Sequence, residues 1–202
     1  MSKSRLEVSI RNFLLPFLKE DGYGGSGLTF RRVRSEFIEV VNIQGSRYGG
    51  QFAINLGFHL LALPDTLGNH PDPKTIAEPL CELRRRLAES GSDQWWNHDG
   101  SQDGMDLAVI AASEVYTSIG RPLFARMEGM DFNTLSPENF VNGKYDLLGF
   151  HSSKVRMALM LARLRKAQNK PAESKTFAAY GLAHVGLATM LKEELELLSK
   201  DG

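Results

Sequence analysis

The densest concentration of groups that could ligate a metal ion or transfer a proton lies in the segment NHDGSQDGMD, residues 97–106. Its ionisable side chains, with two further imidazoles that could join them, are His98, Asp99, Asp103, Asp106, His59 and His70. Their spacing fits neither an EF-hand loop, which needs ligands at alternate positions and a closing Glu, nor a zinc motif. We therefore predict no metal site and no cofactor, and we expect Asp103 to cap the helix that follows.

Covalent catalysis has no candidate that the sequence supports. The motif GxSxG is absent, and Cys81 lies in an apolar, strand-like context that is typical of a buried structural thiol. Because Cys81 is the only cysteine, a disulfide framework and a multi-cysteine zinc site are excluded. The stretch DGYGGSG, residues 21–27, lacks the Lys-Ser/Thr of a phosphate-binding loop and predicts a turn. We assign no catalytic residue, and the balance leans against an enzyme.

Carboxamides are the polar groups that stand out in the segment VVNIQGSRYGGQFAINLGFHL, residues 40–60. Two apolar runs flank a Gly-rich turn, and the alternation along each run predicts a β-hairpin. If Gln44 lies opposite Gln51, the side chains that share the polar face are those of Asn42, Gln44, Gln51, Asn55 and His59. This face is either an ordinary solvent-facing surface whose amides bond to neighbouring loops, or a floor that presents donors and acceptors to a partner.

The first hypothesis for function is a protein-interaction or binding module, because amides both donate and accept and suit recognition better than proton transfer. Its candidate binding residues are Gln44, Arg47, Asn55, His59, Trp95 and Trp96. We expect one of the two tryptophans in the core and the other at the surface as an interaction anchor. The alternative is an enzyme acting on a small polar ligand or a nucleotide, which requires His59 and the loop 98–106 to converge within about 10 Å.

The composition restricts the choice of partner. The 202 residues carry 24 Lys and Arg and 24 Asp and Glu, so no overall basic field attracts nucleic acid or anionic lipid. Local basic clusters remain at residues 31–34 and 84–86. No run approaches the roughly 20 apolar residues of a membrane span, and the N-terminus does not resemble a signal peptide. We predict a cytoplasmic protein with a protein partner and no membrane association, and the oligomeric state is left open.

A sheet must position these side chains, because the hydrophobic period is 2 through much of the first half of the chain. Strands are predicted over residues 27–34, 36–44 and 51–61, and residues 80–87 favour a fourth strand over a helix. A helix that kinks or ends at Pro16 precedes them at residues 4–18. Four prolines make residues 63–79 an excursion over the surface.

The second half of the chain predicts helices over residues 105–119, 153–168 and 172–199, the last two as an antiparallel pair. The predicted fold class is therefore α+β, with a mainly antiparallel sheet of three to five strands backed by helices and a C-terminal helical hairpin. We divide the chain into a core domain at residues 1–130 and a helical extension, residues 131–202, that packs on it.

The sequence also resembles a known family. The elements VVNIQGS and QFAINLGFHL, followed by Cys81, Arg86-Leu87 and Trp95-Trp96, are similar to the domain of unknown function 4304 family over roughly residues 4–124. The most specific pieces are Asn42–Ser46 and Ile54–Gly57. The resemblance implies an antiparallel sheet backed by helices and implies no activity. Residues 153–199 lie outside it.

Overall fold

The predicted α+β class is confirmed by a computed structural model, which describes residues 4–65, 67–91 and 93–200. Its sheet has the strand order β1-β2-β3-β4-β5, every pairing is antiparallel, and β6 pairs with β4 beyond the end of β5. The strands are β1 Gly24–Ser26, β2 Thr29–Arg34, β3 Phe37–Gly45, β4 Gln51–Leu60, β5 Leu83–Arg86 and β6 Trp96–Asn97. The glycine-rich stretch expected to be only a turn thus contributes β1, and the fourth predicted strand is β5.

The central hairpin of β3 and β4 has the predicted faces but not the predicted register. Gln44 lies opposite Ala53 rather than Gln51, and Asn42 lies opposite Asn55. A shift of two residues leaves every side chain on the same face, because side chains alternate with a period of two. The carboxamides therefore share one face, which we call the polar face, and Phe52, Ile54, Leu56 and Phe58 lie on the other.

The N-terminal helix continues through Pro16 instead of ending there. Helix α1, Arg5–Ser9, runs into a π-helical turn at Ile10–Leu14 and then into α2, Leu15–Glu20. The wider turn, in which the Leu15 amide donates to the Ile10 carbonyl, accommodates a proline ring that cannot donate. The same arrangement recurs in the next helical segment, where the π turn Tyr116–Gly120 precedes Pro122.

The helices of the second half are, in chain order, α3 Gln102–Val115, α4 Arg121–Glu128, α5 Pro137–Val141, α6 Lys154–Ala167, α7 Pro171–Ala183 and α8 Lys192–Lys200. One hydrophobic cluster extends from Ile10 to Leu198 and includes the apolar face of the sheet. Aromatic contacts from Phe37 to Phe132 and from Phe58 to Phe150, with ring centroids 6.4 and 6.2 Å apart, join the sheet to residues beyond 130. The segments that carry Phe132 and Phe150 therefore pack on the apolar face of the sheet. None of the described helices is long and apolar enough to cross a membrane.

The single helix predicted over residues 172–199 is wrong, since α7 ends at Ala183 and α8 begins at Lys192. Gly186 has a φ of 46° between them, a value that interrupts a right-handed helix. The reversal buries Leu195 and leaves Leu187 fully exposed. Arg163 of α6 holds α8 in place, because its guanidinium donates to both carboxylate oxygens of Glu194 at 2.7 and 2.6 Å.

The excursion between β4 and β5, residues 61–82, covers half of the polar face. Ile76 and Cys81 pack on Ile38 and Val40 in a second, small hydrophobic cluster. Gly57 permits this close approach, because a Cβ atom there would lie 2.7 Å from the Cys81 Sγ. We call the half beneath the excursion, which carries Ile38, Val40, Gly57 and His59, the covered half. The half towards the β3–β4 turn, which carries Asn42, Gln44, Gln51 and Asn55, is the open half.

Candidate functional site

The open half of the polar face carries a hydrogen-bonded network of amides around one guanidinium. The Asn55 side-chain amide donates to the Gln44 Oε1 at 2.9 Å and to the Asn42 Oδ1 at 3.4 Å. Arg86 of β5 donates to the Asn55 Oδ1 at 3.1 Å and to the Gln44 Oε1 at 3.2 Å. Asn55 is only 8% exposed, whereas Gln44 is exposed. Asn55 thus forms the floor of the network and Gln44 its outer surface.

The two tryptophans have different positions. Trp96 is buried and stacks on Phe52 with ring centroids 5.7 Å apart, so it belongs to the core. Trp95 is half-buried at the open half, where the Arg86 guanidinium lies 4.6 Å from the centre of its ring. Arg86 also pairs with the Asp93 carboxylate. A cation held against an aromatic face is fixed in position, so Trp95 contributes to the order of the network.

The turn between β3 and β4 places two further side chains at the end of the open half. Arg47 and Tyr48 are exposed, Tyr48 by 81%, and the Arg47 guanidinium lies 4.6 Å from the centre of the Tyr48 ring. Gly49 and Gly50 follow with φ values of 73° and 71°, which favour glycine. Tyr48 is not among the binding residues predicted from the sequence, although tyrosine and arginine are both enriched at binding hot spots.

A polar cleft of about 320 Å³ lies beside the network along β5. The residues that line it are Asn55, Glu78, Arg84, Arg85, Arg86, Asp93 and His151. Arg84 donates to both carboxylate oxygens of the buried Glu78, at 2.7 and 3.3 Å. The backbones of Arg84 and His151 exchange two hydrogen bonds, of 3.2 and 2.9 Å, so the far wall is tied to β5.

From the sequence, residues 84–86 are a basic cluster and Arg86 is part of a family element, but none of them is among the predicted binding residues. In a strand, residues two apart share a face, and the pairing of Gly57 with Arg84 and of Asn55 with Arg86 places both arginines on the polar face. Arg85 lies on the other side, where it donates to the Leu148 carbonyl. The alternation within a predicted strand was the signal that could have separated Arg84 and Arg86 from Arg85.

His59 lies in the covered half and is fully buried. Its Nδ1 accepts from the Glu82 amide at 3.3 Å, which leaves Nε2–H to donate to the Leu63 carbonyl at 3.1 Å. Burial lowers the pKa of this imidazole, because the charged form loses its hydration. His59 therefore does not join the surface formed by Gln44, Arg47, Asn55 and Trp95.

The polar side chains of the loop at residues 97–106 are engaged in helix capping and in hydrogen bonds to nearby residues. Ser101, not Asp103, caps α3, and its hydroxyl accepts from the Gly104 amide at 2.9 Å. The Asp106 carboxylate accepts from the Gln102 side-chain amide at 2.8 Å and from the Ser9 hydroxyl. Among the described residues, no group of three or more His, Cys, Asp or Glu side chains could hold a metal ion.

The loop and His59 do not converge. Asn97 pairs with Gln51 at the first residue of β4, and His59 lies eight residues along the same strand. At a strand rise of about 3.3 Å per residue the two ends are roughly 26 Å apart. Shared proton or metal chemistry between them is therefore not possible.

Two buried carboxyl groups with a raised pKa, those of Glu39 and Glu82, escaped the sequence analysis. Burial raises the pKa of Glu39 to about 7, against the effect of hydrogen bonds from Arg32 and from the Tyr23 hydroxyl, the latter 2.7 Å long. Burial also raises the pKa of Glu82 to about 7, although the Arg163 guanidinium lies 3.5 Å away. Glu39 lies in the core beneath α4, and Glu82 lies between the covered half and the C-terminal helices. Neither contributes to the cleft.

Comparison with known proteins gives one result. A family model described as "Domain of unknown function (DUF4304)" matches residues 14–119. The chain belongs to this family. The match begins after the end of α1 and contains all six strands, and therefore the open half. It excludes His151 and helices α4 to α8. No curated protein and no solved structure matches the chain.

Proposed function

We propose that this member of the DUF4304 family is a binding module whose recognition surface is the open half of the polar face, together with Arg47, Tyr48 and Trp95. The observation that carries the proposal is the network of Asn55, Gln44 and Arg86. Polar side chains on a solvent-facing sheet are ordinarily mobile. Here they hold each other in a fixed pattern, which lowers the entropy cost of binding.

The side chains at the edge of this network have the properties of interface anchors. Tyr and Trp provide large, rigid contact area, and Arg provides directed donors, which is why these three types dominate the energetics of protein interfaces. Tyr48 and Trp95 flank the network, so a partner that covers Gln44 would contact both. A protein partner fits this surface best. The single cysteine, Cys81, is compatible with a reducing compartment, so we place the interaction in the cytoplasm.

An enzymatic function finds less support. The alternative required His59 and the loop 98–106 to act together, and they lie at opposite ends of β4. The open half is built from neutral amides and a guanidinium, which bind well but transfer protons poorly at neutral pH.

The test is capture of a partner by the tagged full-length protein from its native host, followed by affinity measurement with the purified partner. Gln44→Ala combined with Tyr48→Ala removes two exposed contacts without opening the core. We expect affinity to fall about thirtyfold or more, as for the loss of an interface anchor. Leu107→Ala, an exposed change on α3, is the matched control and should bind like the wild type. Equal affinity of the double variant and the wild type would refute this choice of surface.

A further inference from the structure

The amide network uses its hydrogen-bond acceptors internally and leaves donors for a ligand. The Gln44 Oε1 accepts two hydrogen bonds, from Asn55 and from Arg86, whereas the Gln44 side-chain N–H₂ group donates none within the part of the chain that the structure describes. The Asn55 Oδ1 accepts from Arg86. What remains to be offered to a ligand is therefore mostly N–H groups, which recognise acceptor oxygens.

The neighbouring cleft has the same character and adds the unused donors of two guanidinium groups. Each guanidinium has five N–H donors, and Arg86 uses three of them while Arg84 uses two. The Cα atoms of Arg84 and Arg86 are two residues apart on one face of β5, about 7 Å from each other. On this face two guanidinium groups stand against the carboxylates of Glu78 and Asp93, so an anion that displaces Asp93 would meet two guanidinium groups and one carboxylate.

The two arginines are held in position before any ligand arrives. Arg84 is fixed by both oxygens of the buried Glu78, and Arg86 is fixed by Asn55 and by the Trp95 ring. A pair of ordered guanidinium groups with unused donors matches the geometry of a planar or tetrahedral oxyanion.

We propose that the cleft between Arg84, Arg86 and His151 is a binding site for an oxyanion, a carboxylate or a phosphate group, carried by the partner. This inference rests on the proposed function, because it names the chemical group that the same surface would recognise. The exposed Gln44 side-chain N–H₂ group completes the donor set on one side of the site, above the Asn55 floor.

Asp93 acts as an internal competitor for this site. Its side chain is 63% exposed, and its pairing with Arg86 is a surface ion pair of the kind that contributes little to stability. An incoming oxyanion can therefore replace the Asp93 carboxylate on Arg86 at small cost. Removing the charge of Asp93 should strengthen oxyanion binding, whereas a purely structural role for the pair predicts no such gain.

The experiment is an NMR titration of the full-length protein with inorganic phosphate and, separately, with acetate, following the Nε–H signals of the arginines. We expect saturable shifts at Arg84 and Arg86. Arg86→Gln should weaken binding about tenfold, as for the loss of a charge-assisted contact, and Asp93→Asn should strengthen it about threefold. Arg34→Gln, a change at the exposed Arg34 beside the β2–β3 turn, is the control and should have no effect.

The two probes separate the two sources of the oxyanion. Tighter binding of phosphate favours a phosphorylated ligand, and tighter binding of acetate, despite its smaller charge, favours an acidic side chain or chain terminus. The proposal is overturned if neither probe gives saturable shifts, or if Asp93→Asn and Arg86→Gln bind as the wild type does. A partner that still depends on Gln44 and Tyr48 in that case would preserve the binding module and remove only the oxyanion site.

Discussion

The two halves of the polar face lie on the same pair of strands, yet one is covered by the excursion and the other is open to solvent. The covered half presents Ile38 and Val40, and the excursion lays Ile76 and Cys81 on them. Four residues along β3 from Val40, the open half presents Gln44, and within the described parts of the chain no hydrophobic cluster covers it in the same way. The boundary falls where side-chain chemistry changes from apolar to amide. The cover thus follows the apolar residues of β3 and leaves Gln44 exposed to solvent.

Anchoring of the cover depends on contacts with the second half of the excursion. Arg31 of β2 donates to the carbonyls of Ile76 and Thr75, and Gly57 leaves room for Cys81. Burial raises the pKa of the Cys81 thiol, as expected for a sulfur enclosed by apolar neighbours. The covered half thus behaves as core, and its variants should affect stability, whereas variants of the open half should affect binding.

The largest effect should come from Glu82, where the covered half meets the C-terminal helices. Its pKa in the folded protein is about 7, above the ordinary value of 4.5, so the folded state binds the proton more tightly than the unfolded state. The free energy of unfolding should therefore fall as pH rises from 5 to 8. Glu82→Gln cannot ionise and should remove up to about 3 kcal/mol of this fall.

Urea unfolding of both proteins at pH 5, 6.5 and 8 measures the difference. Ionisation of Glu39 also lowers the free energy of unfolding as pH rises, but it does so in both proteins and therefore cancels in the comparison. His59 acts in the opposite direction, because its lowered pKa costs stability as pH falls below 6.5, and it also cancels. Parallel pH curves for the wild type and Glu82→Gln would show that Glu82 is not a buried, shifted carboxyl group.

The next largest effect on stability should come from Gly57, and Gly45 of the same hairpin serves as its comparison. At Gly57 an added Cβ would lie 2.7 Å from the Cys81 Sγ and 3.3 Å from the Glu78 Cγ, whereas at Gly45 it would meet no atom within 4 Å. Gly57→Ala should lower the free energy of unfolding by about 2 kcal/mol through overpacking. Gly45→Ala should change it by less than about 0.5 kcal/mol.

Chemical denaturation gives both values, and the double variant Gly57→Ala/Cys81→Ala tests the cause. Removing the sulfur should restore part of the lost stability, because the closest clash is with Sγ. If Gly57→Ala and Gly45→Ala were equally stable, the excursion would not be seated on β4 as described.

The smallest effect should separate the floor of the open half from its rim. Asn55→Ala leaves Arg86 and Gln44 without a shared partner and should cost about 1.5 kcal/mol of unfolding free energy. Gln44→Ala, an exposed change, should cost no more than about 0.5 kcal/mol. Thermal or urea unfolding distinguishes them. A Gln44→Ala variant as unstable as Asn55→Ala would mean that both residues are structural, and the recognition surface would lose its main support.

Sequence reasoning located the amides on one face but could not tell which of them are accessible. The alternation along residues 51–60 places Asn55 and His59 on the same face whatever the pairing, since a two-residue shift in register changes nothing. It does not reveal that His59 lies beneath the excursion and Gln44 outside it. That distinction depends on contacts such as the one between Arg31 and Ile76, which join residues 45 positions apart.

The helical half shows the same division. The apolar spacing predicted α6 well, because its periodicity is local. It failed for residues 172–199, where the apolar spacing is still typical of one helix but Gly186 interrupts it. No pattern in the sequence indicated that Arg163 pairs with Glu194. This ion pair holds α8 against α6.

By itself, then, the sequence determined the α+β class, the two faces of the central hairpin and the family, because each depends on local periodicity or on short motifs. Only the tertiary structure decided which half of the polar face is covered and which residues surround the cleft. Asn55, Arg86 and His151 are distant in the chain, and they meet because β4, β5 and the segment after α5 converge at one edge of the sheet. Such long-range packing leaves no periodic trace in a single sequence.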